Sequence, residues 1–275
     1  MTTRSPHHSR LVSAVDSHAH VFRRELAFVD GRRYSPDFDA LLGDYLGLLD
    51  ANGVSHALLV QPSFLGTDNA FLLAALQADP ERLRGVAVVD PSATDAELRW
   101  LATRGVCGIR LNLVGTAAPD LRKGAWVDLL QRVRALHWHV EIHLELAALP
   151  PVGQAVIDIG CRLVVDHFGR PGAADGEGWT WLLHAAQTGQ VWVKLSAAYR
   201  NWPPSAQGRA AVVATKLLEA FGPEHLLWGS DWPHTQHRDF ASFPSALAAL
   251  HAWVPDAAAR QTILVDTPCR LFQFL

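Results

Sequence analysis

The sequence predicts an α/β fold of the (β/α)8 (TIM) barrel class, and three observations carry that expectation. Eight short β-prone runs alternate with helical stretches, and no change of composition divides the chain internally. Strands that alternate with helices imply a parallel sheet, and eight such units suit a closed barrel. The chain has 275 residues, which suits one barrel domain of roughly 250 residues. The competing architecture, an open doubly wound sheet, would want a glycine-rich phosphate loop after an early strand. No G-x-G-x-x-G follows the first strand here. The domain reading is a polar leader over residues 1–12 and one barrel domain over residues 13–275.

The elements follow in order. Residues 12–22 read Val-Ser-Ala-Val-Asp-Ser-His-Ala-His-Val-Phe, a strand whose alternation would put Asp16, His18 and His20 on one side. Residues 23–39 form a long polar connection with Tyr34 and Pro36. Residues 40–52 carry helical apolar spacing and stop at Gly53, a C-terminal helix signal. Residues 55–61 are an almost continuous apolar run, as expected of a strand covered on both faces. A helix over 69–78 ends at Asp79-Pro80, and a third strand covers 83–89. Thr94 and Glu97 have capping-box spacing at the head of a helix ending at Gly105. Further strands are read at 106–113, 139–144, 162–167, 191–196 and 226–230. The intervening helices fall at 125–136, 151–160, 179–187 and 206–221, with helical segments from there to the end.

Bulk properties narrow the function classes. Hydrophobic residues make up 49% and the formal net charge is −3, with an isoelectric point near 6.5. So mild a charge argues against nucleic acid or an anionic membrane as the main partner. No run approaches the roughly 18 uninterrupted apolar residues of a membrane span, and the leader has no signal-peptide core. Three cysteines, Cys107, Cys161 and Cys269, stand apart in no C-x-x-C pair. They read as buried small hydrophobes in a reducing compartment, so the expected location is the cytoplasm. A homo-oligomer is allowed by the composition and not specified by it.

The informative signal is at the strand ends, because a barrel of this class carries its active site at the C-terminal ends of its strands. Strand one offers His18 and His20; strand two, Gln61 and Ser63; strand four, Arg110 and Asn112; strand five, His143. Strand six offers Asp166, His167 and Arg170; strand seven, Lys194, Ser196, Tyr199 and Arg200; strand eight, Asp231 and then Trp232 and His234. Any one of these could be structural. Together they concentrate titratable groups on the catalytic face, where packing alone gives them no reason to be.

The ordered set His18-x-His20, His143, His167 and Asp231 resembles the amidohydrolase superfamily. Asp166-His-Phe-Gly-Arg170 and Trp228-Gly-Ser-Asp-Trp-Pro-His234 are similar to its lactone-opening branch, which includes the 2-pyrone-4,6-dicarboxylate, sugar-lactone and muconolactone hydrolases. The resemblance runs from about residue 15 to 275 and implies a barrel that hydrolyses a lactone. It implies Asp231 as the group that takes a proton from the attacking water. His18, His20 and His167 would polarise the carbonyl or hold a metal that does so. It further implies Tyr34, Ser63, Arg110 and Arg170 as substrate contacts, with Arg200 a looser match.

The residues themselves add an anionic substrate, since Arg110, Arg170, Lys194 and Arg200 at the mouth suit carboxylates, and His234 in the following loop joins that list. His18, His20, His143 and Asp231 could make a mononuclear zinc site with one divalent metal. His143 departs from the dicarboxylate branch and favours a metal, whereas Lys194 and the arginines would repel one. Lactone isomerisation, non-oxidative decarboxylation and a silent anion-binding barrel stay open as alternatives.

Overall fold

A computed structural model describes residues 11–206 and 208–274; most of the polar leader lies outside them. Eight parallel strands pair in sequence order: β1 (Val15–Ala19), β2 (His56–Val60), β3 (Leu83–Ala87), β4 (Val106–Asn112), β5 (His139–His143), β6 (Arg162–Val165), β7 (Val191–Ser196) and β8 (Leu226–Gly229). The residues just after β8 close the ring on β1. Trp232 bridges Ala19 in parallel, His20 N–H donates to the Trp232 carbonyl at 2.8 Å, and Asp231 N–H donates to the His18 carbonyl at 2.9 Å. The chain is therefore a single-domain (β/α)8 barrel.

Helices α1 (Leu42–Ala51), α2 (Ala70–Ala78), α3 (Asp95–Ala102), α4 (Ala125–Ala135), α5 (Leu149–Asp158), α6 (Gly176–Ala185), α7 (Gly208–Phe221) and α8 (Phe243–Trp253) cover the outside. Leu49, Leu76, Leu98, Leu129, Val156 and Leu217 are buried between helices and barrel. Boundaries match the sequence reading within a few residues. Helix α1 starts later than expected because Ala40 is taken up in a two-way backbone bridge to Phe22, 2.9 Å each way. The Thr94–Glu97 capping box heads α3 as expected. Gly53, just past α1, has φ 70°, a left-handed turn that a glycine makes without Cβ strain. Cys107, Cys161 and Cys269 are free and buried, and no helix among the described residues is long and apolar enough to cross a membrane.

The barrel interior is layered. Its lower part is apolar, with Leu58, Val86, Val164 and Leu227 against Leu271 and Phe272. Above this lies a charged layer. Inward positions recur every second residue along a strand, and β4–β5 register pairs Arg110 with Glu141 and Asn112 with His143.

One expectation fails at the first strand. Asp16 does not share a face with His18 and His20, because the β1 register shifts between Asp16 and Ala19. The Asp16 carboxylate turns to the seam instead. It accepts from Ser230 N–H (2.8 Å), Ser230 Oγ (2.5 Å), Tyr45 Oη (2.7 Å) and His18 N–H (3.1 Å). Asp16 thus ties β1, α1 and the end of β8 together at the point where the barrel closes. Burial raises its pKa against the pull of those hydrogen bonds. Asp16→Ala leaves four buried donors without their acceptor and is expected to cost about 3 kcal/mol or more in urea unfolding. Lys123→Ala, which removes an exposed pair with Asp120, should cost less than about 1 kcal/mol. Equal losses for the two variants would refute the seam role.

Candidate active site

The strand ends open onto a cavity of about 330 Å3. Its floor includes His20, His143, His167 and Asp231, and its walls carry Arg33, Arg110, Arg170 and Arg200 with Tyr34 and Ser63. Such a volume holds a single substituted ring. Of the residues expected from sequence, Tyr34, Ser63, Arg110, Arg170 and Arg200 all line this one space, and His18 sits directly beneath His20.

Asp231 occupies the centre. It sits at φ 60° in the turn that leaves β8, and it is 1% exposed. Oδ2 is held by Tyr199 Oη at 2.6 Å and Arg200 Nε at 2.7 Å. Oδ1 has no hydrogen-bond partner. Three imidazoles face that free oxygen: Nε2 of His18 at 3.8 Å, of His20 at 3.9 Å and of His167 at 3.8 Å. Burial alone would raise the Asp231 pKa, but Arg200 and the three histidines hold it well below the usual carboxylate range. Burial pushes His20, His143 and His167 well below the ordinary histidine pKa, so all three are neutral near pH 7.

Proton positions follow from the partners. His20 Nδ1 lies 2.7 Å from the Val60 carbonyl, which can only accept, so Nδ1 carries the proton and Nε2 keeps its lone pair. His18 Nδ1 lies 3.0 Å from Lys194 Nζ. The same nitrogen lies 3.2 Å from Asp166 Oδ1 and 3.4 Å from Glu141 Oε1, so Nδ1 faces one cation and two carboxylates at once. His18 Nε2 faces His20 Nε2, 3.2 Å away. His167 Nδ1 lies 2.8 Å from Ser196 Oγ, an arrangement that leaves Nε2 for the cavity. Gly229 makes the crowding possible, since a Cβ there would come within 2.6 Å of the His18 Cβ.

Beneath His18 lies a buried charge layer. Lys194 Nζ donates to Glu141 Oε2 at 2.5 Å and sits 3.4 Å from Asp166 Oδ1. Arg110 Nη2 donates to Asp166 Oδ2 at 3.3 Å, and its Nε lies 3.7 Å from Glu141 Oε1. Two cations face two carboxylates, as burial demands.

Two expected roles change, those of Lys194 and His234. Lys194 is fully buried in this layer and does not line the cavity, because it lies two residues before Ser196 on the same face, and Ser196 itself is buried beneath His167. His234 lies behind Tyr199, whose hydroxyl its Nδ1 meets at 3.1 Å, and it too is absent from the lining. Trp232 stacks on Tyr45 at 5.0 Å, away from the cavity. The metal reading also shifts. Ligand atoms of His18, His20 and Asp231 converge within metal-binding reach, and so do those of His18, Asp166 and His167, but His143 joins neither group.

Glu141, Arg33 and Tyr199 were not assigned roles from sequence. Glu141 could have been found, since it is two residues before His143 on an alternating strand. Tyr199 adjoins Arg200, which was. Arg33 sits in an irregular connection with no periodic signal.

The amidohydrolase family model matches residues 15–274. A 4-sulfomuconolactone hydrolase from Rhizobium radiobacter is 33% identical, covering 94% of this chain and 89% of its own. A Pseudomonas putida structure described as a 2-pyrone-4,6-dicarboxylic acid hydrolase is 46% identical, covers 96% of this chain and 99% of its own, and superimposes with a TM-score of 0.90. An Acinetobacter baumannii structure described the same way, with citric acid bound, is 36% identical, covers 94% and 99%, and has a TM-score of 0.91.

The buried histidines make stability fall in acid. His234 has its pKa lowered from 6.5 to about 4 by burial. Between those values the unfolded chain takes up a proton that the folded chain refuses, so stability is lost as pH falls through that window. His20, His143 and His167 act in the same direction. The urea midpoint is expected to drop between pH 7.5 and pH 5, with about 2 kcal/mol from His234 alone. His234→Gln should shrink that drop; a midpoint independent of pH would contradict the neutral burial of these rings.

Proposed function

The chain belongs to the amidohydrolase family, and from that premise we propose that it hydrolyses an anionic, carboxylated lactone by attack of water, with Asp231 as general base. The observation that carries this reading is the divided Asp231 carboxylate: one oxygen clamped by Tyr199 and Arg200, the other free and facing three imidazoles. The clamp fixes the direction of the free lone pairs. A water beside Oδ1 loses its proton to that oxygen as its own oxygen bonds to the lactone carbonyl carbon. Charge then develops on the former carbonyl oxygen. His167, which lines the cavity, is placed to donate to it from Nε2 while its Nδ1 accepts from Ser196 Oγ. Collapse breaks the bond to the ring oxygen, and the proton on Asp231 passes to that leaving oxygen. The net change is one water added and one ring opened.

The arginine-lined wall supports an anionic substrate, and so do the relatives. One is named for a sulfonated muconolactone, two are described as acting on a pyrone dicarboxylate, and one of these holds citrate. Location in the cytoplasm is part of the same proposal.

The residues do not fit a resident zinc well. A metal-bound His18 would need a lone pair on Nε2 and a proton on Nδ1. The Lys194 ammonium 3.0 Å from Nδ1 opposes a proton there, although Asp166 Oδ1 lies 3.2 Å from the same nitrogen, and Asp231 is already clamped by Arg200 and Tyr199. His143, the fourth ligand expected from sequence, stands outside the donor groups. No step above passes through a metal.

Two outcomes test the proposal. Asp231→Asn should lower kcat by on the order of 10³ or more, and His167→Ala by about 10²–10³, on a carboxylated lactone that wild type opens with gain of one water in the product mass. Near-normal turnover by Asp231→Asn would sink the base assignment. Dialysis against EDTA should leave kcat/KM unchanged within twofold, and added Zn2+ should not raise it; a tenfold loss restored by zinc would overturn the metal-free reading.

A further inference from the structure

We propose that His234 is a positioning residue for Asp231. Its Nδ1–H fixes the Tyr199 hydroxyl so that the hydroxyl proton goes to Asp231 Oδ2, which leaves Oδ1 as the free oxygen. The proposal rests on the reading of Asp231 as base. The order of the hydrogen bonds stands on separate observations.

The first is the number of protons available at one oxygen. Tyr199 Oη lies 2.6 Å from Asp231 Oδ2 and 3.1 Å from His234 Nδ1. Burial and the Asp231 charge push the phenol pKa well above its usual value, so Oη keeps its single proton. An ionised carboxylate can only accept, so that proton points to Oδ2 and His234 Nδ1 must donate. The His234 ring is neutral, its pKa lowered to about 4 by burial, and has one proton to place. With that proton on Nδ1, Nε2 keeps a lone pair, and Nε2 has no hydrogen-bond partner among the described residues. With the proton on Nε2 instead, Tyr199 would face two acceptors with one proton, and a buried N–H would go unmet.

The second is the turn after β8. Asp231 and His234 both have left-handed backbone, φ 60° and 57°, which residues with side chains rarely adopt. His234 N–H donates to the Asp231 carbonyl at 2.7 Å and closes the turn. The turn thereby brings two of its own side chains to one hydroxyl. The next residue, Thr235, accepts from Arg200 Nη2 through its carbonyl at 3.3 Å. The turn that carries Asp231 therefore also braces both groups that clamp it.

The third is the division of labour around Tyr199. Its ring lies 4.9 Å from the His237 ring and 6.1 Å from the Phe240 ring. Those contacts place the ring but do not direct the hydroxyl proton, which answers to its polar partners. His234 does not line the cavity, so its effect on the reaction passes through Tyr199.

The test is a double-mutant cycle in kcat on a carboxylated lactone, with the tautomer of the isotope-labelled His234 ring read by NMR. His234→Leu should lower kcat by about 10-fold with KM within about threefold, the scale of one lost hydrogen bond. Tyr199→Phe should lower kcat by at least as much. The double variant should match Tyr199→Phe within about twofold, because the two residues act as one unit. A merely structural role would carry the His234→Leu loss unchanged into the Tyr199→Phe background. His234→Asn, whose amide nitrogen takes the place of Nδ1, should recover most of the loss. Should His234→Leu not fold, His234→Gln, whose amide matches Nε2 instead, replaces it in the cycle. In the wild-type spectrum the ring should be protonated on Nδ1. Losses that multiply, a loss in KM alone, a His234 variant without donor as fast as wild type, or a ring protonated on Nε2 would each overturn the proposal. The spectrum needs no turnover. If it shows Nδ1–H and no carboxylated lactone is opened, the hydrolase reading fails and the hydrogen-bond order stands.

Discussion

The pairing of Lys194 and Arg110 with Glu141 and Asp166 inside the barrel is the constraint on which the upper half of the molecule depends. Ions of either sign are expensive to bury alone, and tolerable only when matched at hydrogen-bond distance. Here the four side chains come from four consecutive strand positions around the ring, β4 to β7, so the match holds only if those strands keep their register. The layer does more than balance itself. Its ammonium and the Asp166 carboxylate both face His18 Nδ1, so the layer holds the ring that underlies His20 at the cavity floor.

Above this matched layer the balance is deliberately broken. The cavity has four arginines in its walls and one carboxylate, Asp231, at its centre. Arg200 serves both sides, fixing one Asp231 oxygen and adding to the positive field. That field keeps Asp231 ionised, which makes it a weak base by ordinary measure. Its competence as a base comes from a fixed direction and a dry surrounding, and the field that weakens it also draws in an anionic substrate.

Much of this was legible in the sequence. Strand and helix periods, glycine stops and the Thr94–Glu97 box located the elements, because they depend on contacts only a few residues apart. The strand-end residues His18, His20, His167, Arg110, Arg170, Arg200 and Asp231 could be picked out because a parallel barrel sends all its strand ends to one face. Asp16 and Lys194 were misplaced for related reasons. Alternation was assumed through a register shift in the first case, and in the second a residue near a strand end was read as one at the mouth although it lies a layer deeper.

The sequence by itself thus determined the barrel, the order of its strands and the identity of most groups at its mouth, since these follow from local periodicity and one topological rule. Tertiary structure alone decided which oxygen of Asp231 is free, that His18 Nδ1 faces Lys194 and Asp166, that His143 packs on His167 yet joins neither metal-reach group, and that Arg33 reaches the cavity at all. Each of these turns on distances of about 3 Å between residues tens to hundreds of positions apart. No pattern along the chain encodes such distances.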